Sequence, residues 1–140
     1  MAESVASIFE NALERYQAGE EPEQLIPVFK EICDRAPRNA SAWSCLAWLY
    51  LLADQPNQAL KAAQRSVKLD PKAPQARINL ALAMLDAGEA GVRQHIQFAQ
   101  QIMLLDAQVR QDLEENIEDG LARRPDWESL HRVKNWLIGT

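Results

Sequence analysis

The side chains able to do chemistry are few and scattered. Cys33 and Cys45 are the only cysteines, and His95 and His131 the only histidines. The cysteines do not form a C-x-x-C pair, and neither histidine has a cysteine or an acidic cluster at metal-ligand spacing. Both thiols read as reduced and structural, packed as small hydrophobes. The acidic pairs Glu20–Glu21 and Glu114–Glu115 fall at helix ends or on helix faces, as solvated charge rather than a general acid and base. No Gly-rich loop, H-E-x-x-H, G-x-S-x-G or P-loop string occurs. The chain is expected to be no enzyme and to hold no metal and no cofactor.

Composition narrows the partners. A chain of 140 residues, 47% apolar and 25% charged, reads as one ordinary soluble domain. Twenty acidic residues against fifteen basic ones give a net charge of −5, which argues against nucleic acid and anionic membranes. The opening MAESVASIFENALERY is polar and amphipathic, unlike a signal peptide. No stretch approaches the roughly 20 apolar residues that span a bilayer. The expected location is the cytoplasm.

The elements follow from a period. The stretch from Asn39 to Lys72 places Trp43, Leu46, Ala47 and Tyr50 at i, i+3, i+4 and i+7, one face of a helix. Ala59 and Ala63 then offer small residues where two helices must approach closely, and Pro71 stops the second helix. One period earlier stand Phe9, Ala12, Leu13, Tyr16, Leu25, Phe29 and Pro37. One period later stand Arg77, Leu80, Ala81 and Met84, closed by Gly88. The period is about 34 residues. The expected helices run over 3–18, Pro22 to before Pro37, 40–53, 56–69, 74–88 and 90–105. Gly19 is the expected left-handed cap, Asn39 the N-cap of the third helix, and Pro56 and Pro74 open the fourth and fifth. Pro27 either sits in the first turn of a late-starting helix or bends it. In the third unit the pattern slips by two residues near Gly91, which puts His95 in the small-residue slot as a packing residue. Val109, Leu113, Ile117 and Leu121 mark a seventh helix, with Gly120 where the pattern wants a tyrosine. Arg123 and Arg124 complement its C-terminal dipole. Asp126 is expected to cap a last helix carrying Trp127, Leu130, Val133 and Trp136 over the sixth and seventh.

This pattern resembles the tetratricopeptide repeat, W-x2-L-G-x2-Y, then A-x3-F, then P, with Ala47 for the glycine and Ala63 for the phenylalanine. The resemblance implies an all-α, right-handed solenoid of antiparallel helix pairs, about eight helices in one domain. The units would be 6–39, 40–73 and 74–109, with a degenerate capping repeat at 110–140. It further implies a module for protein–protein interaction, an adaptor, scaffold or assembly chaperone, with a concave groove lined by the first helix of each unit. Carried over position by position, the groove takes Glu10 and Glu14, then Ser44, Cys45, Trp48, Leu51 and Leu52, then Ile78, Asn79, Leu82 and Leu85, and last Glu114 and Glu118. Its middle is apolar and its ends acidic, which calls for a peptide or helix of a partner protein with apolar anchors and basic flanks. Members that hold chaperone C-terminal carboxylates use Lys, Asn and Arg; here Glu10, Glu14, Cys45, Gln75 and Asn79 stand there, so that mode is expected to be absent. The rival reading is a homodimer formed through the apolar groove or the C-terminal helix.

Overall fold

A computed structural model describes residues 3–139. Among these residues it contains eight helices and no strand: α1 (Val5–Gln17), α2 (Pro22–Arg35), α3 (Ala40–Leu52), α4 (Pro56–Leu69), α5 (Pro74–Ala87), α6 (Arg93–Leu105), α7 (Ala107–Arg123) and α8 (Glu128–Ile138).

Local chemistry sets most of the boundaries. Pro22, Pro56 and Pro74 each open a helix, where the missing amide costs nothing. The Asn39 side chain accepts from the Ala42 amide at 3.1 Å, and Asp106 accepts from the amides of Gln108 and Val109 at 3.0 and 3.2 Å. Gly19 takes φ +93° just past α1, and Gly88 takes φ +74° as the cap of α5, a backbone state that glycine adopts without strain. Pro27 lies inside α2, on its exposed side, and the helix continues through it. Asp126 is not the cap of α8: Trp127 holds that position, with no side-chain hydrogen bond. The two-residue slip sits in a loop. Residues 88–92 join α5 to α6, five residues where three, 53–55, join α3 to α4, and α6 starts at Arg93 rather than Ala90.

The first six helices stack as successive antiparallel pairs, α1/α2, α3/α4 and α5/α6, with α3 also against α5. Small residues make this close approach feasible: Ala59, Ala62 and Ala63 of α4 are fully buried, as are Ala81 of α5 and Ala99 of α6. One hydrogen bond repeats with the period. Trp43 Nε1 donates to the Pro37 carbonyl at 2.9 Å, and Arg77 Nε donates to the Pro71 carbonyl at the same distance, both partners shifted by 34 residues. Arg77 thus replaces a tryptophan and keeps its bond to the preceding turn. His95 fills the small-residue slot as a buried packing group, its Nδ1 3.1 Å from the Arg77 guanidinium. Burial first, and the Arg77 charge second, lower its pKa, so the imidazole is neutral and accepts that bond.

The last pair departs from this scheme. α8 lies against both α5 and α6, while α7 packs on α6 far less closely than α5 packs on α4. Its Leu130 and Val133, with Trp127 at its start, are buried in one core with Ile78, Ala81 and Leu82 of α5 and with Leu113 and Ile117 of α7. Trp136 stays out at 40% exposure. α7 crosses toward α3 and α1, over the side of the stack that the first helices of the pairs line. A second core joins Leu25, Phe29 and Ile32 of α2 to Leu46 and Leu49 of α3.

Candidate functional site

The crossing of α7 is fixed by three sets of side chains. At its C-terminal end, Tyr16 of α1 is the hub. Its hydroxyl donates to Asp119 and accepts from Trp48 Nε1 at 2.8 Å. Asp119 also accepts from Arg123 Nε at 3.0 Å, and Arg123 Nη2 donates to the Tyr16 carbonyl at 2.8 Å. The Arg123 guanidinium lies 3.8 Å from the Tyr16 ring centroid, a cation–π contact. Burial, then the Asp119 bond, raises the Tyr16 pKa, so the phenol keeps its proton and stays a donor. In the middle, Asn116 Nδ2 donates to Gln75 Oε1 at 2.9 Å, Gln75 Nε2 donates to Asn79 Oδ1 at 2.8 Å, and Asn79 Nδ2 donates to the Ser44 carbonyl and hydroxyl. That chain of amides runs from α7 through α5 to α3. Beyond the helix end, Arg124 Nη1 donates to the Leu51 carbonyl at 2.7 Å, and its charge lies 3.3 Å from Asp54.

Gly120 allows the approach. A Cβ there would stand 2.7 Å from Leu130 Cδ2 and 2.9 Å from the Trp48 ring. Trp48 is therefore boxed in by Gly120, by the Tyr16 hydroxyl and by Trp127, whose ring centroid is 5.5 Å away. Trp127 and Ser129 are held in turn by the Asp86 carboxylate.

Between α1, α3, α5 and α7 this leaves a cleft of about 460 Å³. Leu13, Phe29, Cys45 and Leu49 give it an apolar floor, and Gln17, Gln75, Glu115 and Asn116 are among its polar lining. Cys45 is free, and burial pushes its thiol up to about 11; the buried Cys33 thiol is pushed to about 12. Both are protonated and poor nucleophiles at neutral pH. The described residues hold no group of three or more His, Cys, Asp or Glu fit for a metal.

The structure separates the groove positions that the sequence joined. Ser44, Cys45, Trp48 and Asn79 do line the cleft. Leu51, Ile78 and Leu82 do not present an open apolar wall: they are at most 1% exposed, in the core beneath α8. Leu52 and Leu85 are half-buried against that core. The cause is α8, which takes the place beside α5 and covers its apolar face. Glu10 and Glu14 are exposed on α1 and do not line the cleft. Glu114 and Glu118 turn away, paired with Arg110 and Lys134 at 2.9 Å each. The acidic groups at the cleft are instead Glu115 and Asp119. Asn79, a would-be donor to a carboxylate, is buried and has its amide engaged by Ser44. Arg123 and Arg124 do more than complement a dipole, since both tie α7 to earlier helices. No sequence pattern marked these two or Tyr16 as partners. The one available signal was Gly120, a glycine in mid-helix, which marks close approach.

An all-α solenoid of stacked helix pairs, with a cleft on the face lined by α1, α3 and α5, defines a class of proteins built to hold other chains. Residues 28–61 match the family model for the tetratricopeptide repeat, a window spanning the second half of α2, all of α3 and the start of α4. That match covers 34 of the 140 residues and supports a tetratricopeptide-repeat fold for the chain. No curated protein matches it in sequence. Among solved structures it is similar to the Yersinia enterocolitica type III secretion translocator chaperone SycD, described as an alternative dimer. The TM-score is 0.65 over 98% of this chain and 91% of that one, at 19% identity, a likeness of fold. No described helix is long and apolar enough to cross a membrane.

Proposed function

We propose that this protein is a non-catalytic interaction module, an adaptor or assembly chaperone of the cytoplasm, that holds a segment of a partner protein in the cleft beneath α7. One observation carries the reading: a cleft of about 460 Å³ with an apolar floor and an amide-bearing rim, on the side of a repeat solenoid where such folds bind peptides. Its size favours an extended segment. An α-helix about 10–12 Å wide, rising 5.4 Å per turn, would fill that volume with roughly one turn. An extended segment can instead seat one aliphatic side chain on Leu13, Phe29 and Leu49. Its backbone then meets the amides of Gln17, Gln75 and Asn116, groups that both donate and accept. Glu115 at the cleft and Glu10 and Glu14 on the neighbouring α1 favour Lys or Arg beside the anchor. The fold shared with a secretion chaperone supports the same reading.

Self-association through the groove has no support, because Leu51, Ile78 and Leu82 are covered by the chain's own last helix.

The test is a peptide array probed with wild type and with Cys45→Trp, which fills the cleft floor. Wild type should select sequences with one aliphatic residue flanked by Lys or Arg, and lose affinity as salt rises. Cys45→Trp should bind at least about tenfold more weakly, a loss of 1.4 kcal/mol. Equal binding by the filled variant would place the site elsewhere.

A further inference from the structure

Leu104 and Leu105, at the end of α6, are 82% and 89% exposed, and Trp136 of α8 is 40% exposed. Leu69, at the same place in α4, is half-buried. The difference follows the packing: α5 packs closely on α4, whereas α7 packs loosely on α6 and crosses toward the groove, which leaves the end of the third pair open. Leu104 and Trp136 border two neighbouring depressions, of about 490 and 200 Å³, that share Gln97 and Gln100 as a ridge. Neither depression shares a lining residue with the cleft under α7.

The charge on this face is unlike that elsewhere. α6 carries one charged side chain, Arg93, and four glutamines, 94, 97, 100 and 101. The matching helix α2 carries five charged residues: Glu23, Lys30, Glu31, Asp34 and Arg35. Exposed Leu and Trp beside a charge-poor, glutamine-rich helix, with Arg at the margin, are the composition of an interface core and its rim. Three cations border this face: Arg93 lines one depression, Arg110 lines the other and pairs with Glu114 at 2.9 Å, and Arg132 lies 5.1 Å from the Trp136 ring centroid.

From these features we infer that the α6/α8 face binds the same face of a second copy about a two-fold axis. A two-fold interface sets one patch against itself, so the patch must be self-complementary. Acidic or basic faces fail that condition by repulsion. This one meets it in two ways. A glutamine amide donates and accepts, so exposed Gln97 can pair with its own counterpart, while Gln100 is held within the chain by donating to the Trp136 carbonyl. Each copy also carries both the projecting side chains, Leu104 and Trp136, and the depressions to receive them. The rival arrangement would set this face on the acidic start of another copy. Residues 1–34 hold eight acidic and two basic side chains, a net −6. Such head-to-tail contact does not close, and it would build chains of growing length that salt dissolves.

Sedimentation of the whole protein over a wide concentration range, at low and high salt, tests the inference. Wild type should pass from monomer to dimer and stop there, with little effect of salt. Leu104→Glu with Leu105→Glu should remain monomeric while its melting temperature, measured dilute, stays that of wild type. Gln97→Glu and Gln97→Lys should each weaken the dimer at least about tenfold by like-charge repulsion across the axis, and an equal mixture should restore it. A wild type monomeric at every concentration, assembly that continues past the dimer, a dimer indifferent to the leucine pair, or no restoration in the mixture would overturn the proposal.

Discussion

The second helix pair, α3/α4, and the last, α7/α8, are opposites in construction. α4 meets its neighbours through a stripe of buried alanines, Ala59, Ala62 and Ala63, with two polar ties, Ser66 Oγ to the Ala40 carbonyl at 3.0 Å and Arg65 Nη2 to the Pro37 carbonyl at 3.5 Å. α7 has only Leu113, Ile117 and Gly120 fully buried, and it is fastened to α1, α3 and α5 by the side chains of Asn116, Asp119, Arg123 and Arg124. Small residues at a fixed spacing let helices stack in one register. Where that spacing lapses, the helix is free to go elsewhere, and directional polar groups decide where. The regular pairs therefore build the scaffold, and the irregular pair makes both the covered cleft and the uncovered end of α6.

The largest effect should come from removing residues 126–140. Trp127, Leu130 and Val133 are at most 1% exposed. Each fully buried side chain of this size contributes about 1.5–3 kcal/mol, so the three together contribute about 4.5–9 kcal/mol. That is comparable with the whole stability of a typical domain, about 5–15 kcal/mol. The truncated chain should be largely unfolded in urea titration at concentrations where wild type is native. An unchanged unfolding midpoint would show that α8 merely rests on α5.

Gly120→Ala comes next and separates the two pairs cleanly. In an ordinary helix the change is favourable by up to about 1 kcal/mol. Here the new methyl would press on Leu130 and Trp48 at under 3 Å, and overpacking costs about 1–3 kcal/mol. Thermal unfolding should show net destabilisation, with the Trp48 fluorescence altered in the native state. A stabilised variant would mean that α7 can lift away from α3 at little cost.

The sequence made the scaffold legible and the site only in part. Aligned Tyr16 and Tyr50, Pro37 and Pro71, and the alanines of α4 carry the period, because stacking repeats the same contact and so the same residue types. The cap at Asn39, the helix starts at Pro22, Pro56 and Pro74, and the insertion near Gly91 could be read from local rules. Leu51, Ile78 and Leu82 were misplaced because the repeat pattern says which way a side chain points, not what later covers it. Tyr16, Asp119 and Arg123 lie more than a hundred residues apart at the extremes, and no periodicity links α1 to α7. Nothing in the sequence marks Leu104 and Leu105, because their exposure depends on the course that α7 takes.

Tyr16→Phe should have a smaller effect, confined to one region. It removes the hydroxyl that serves both Trp48 and Asp119 and leaves the ring in place. Losing such bonds costs about 1–2 kcal/mol, including the unpaired indole N–H of half-buried Trp48. Amide hydrogen exchange should quicken along α7 and leave α3 and α4 unchanged, since their alanine contacts are untouched. Equal loosening of both pairs would mean that the latch supports the whole stack.

The smallest effect is a pH dependence seated in the regular part, between α5 and α6. His95 is 7% exposed, and its pKa is lowered from 6.5, first by burial and then by the Arg77 charge. The unfolded chain therefore takes up a proton at a higher pH than the folded one. From about one pH unit above 6.5 the imidazole is neutral in both states and the contribution is constant. As the pH falls below that value, the unfolded state gains the proton first, and stability declines until the folded pKa is reached. Protonation in the fold would also put a cation 3.1 Å from Arg77 and remove the acceptor for its Nη1. The melting temperature of wild type should fall more steeply between about pH 7 and pH 5 than that of His95→Asn, which keeps an acceptor near Nδ1 but cannot titrate. At pH 7.5 and above, where neither side chain is charged, the two curves should run parallel. Parallel curves down to about pH 5 would show that His95 titrates in the fold as it does in water, and that the α5/α6 contact is wetter than its burial implies.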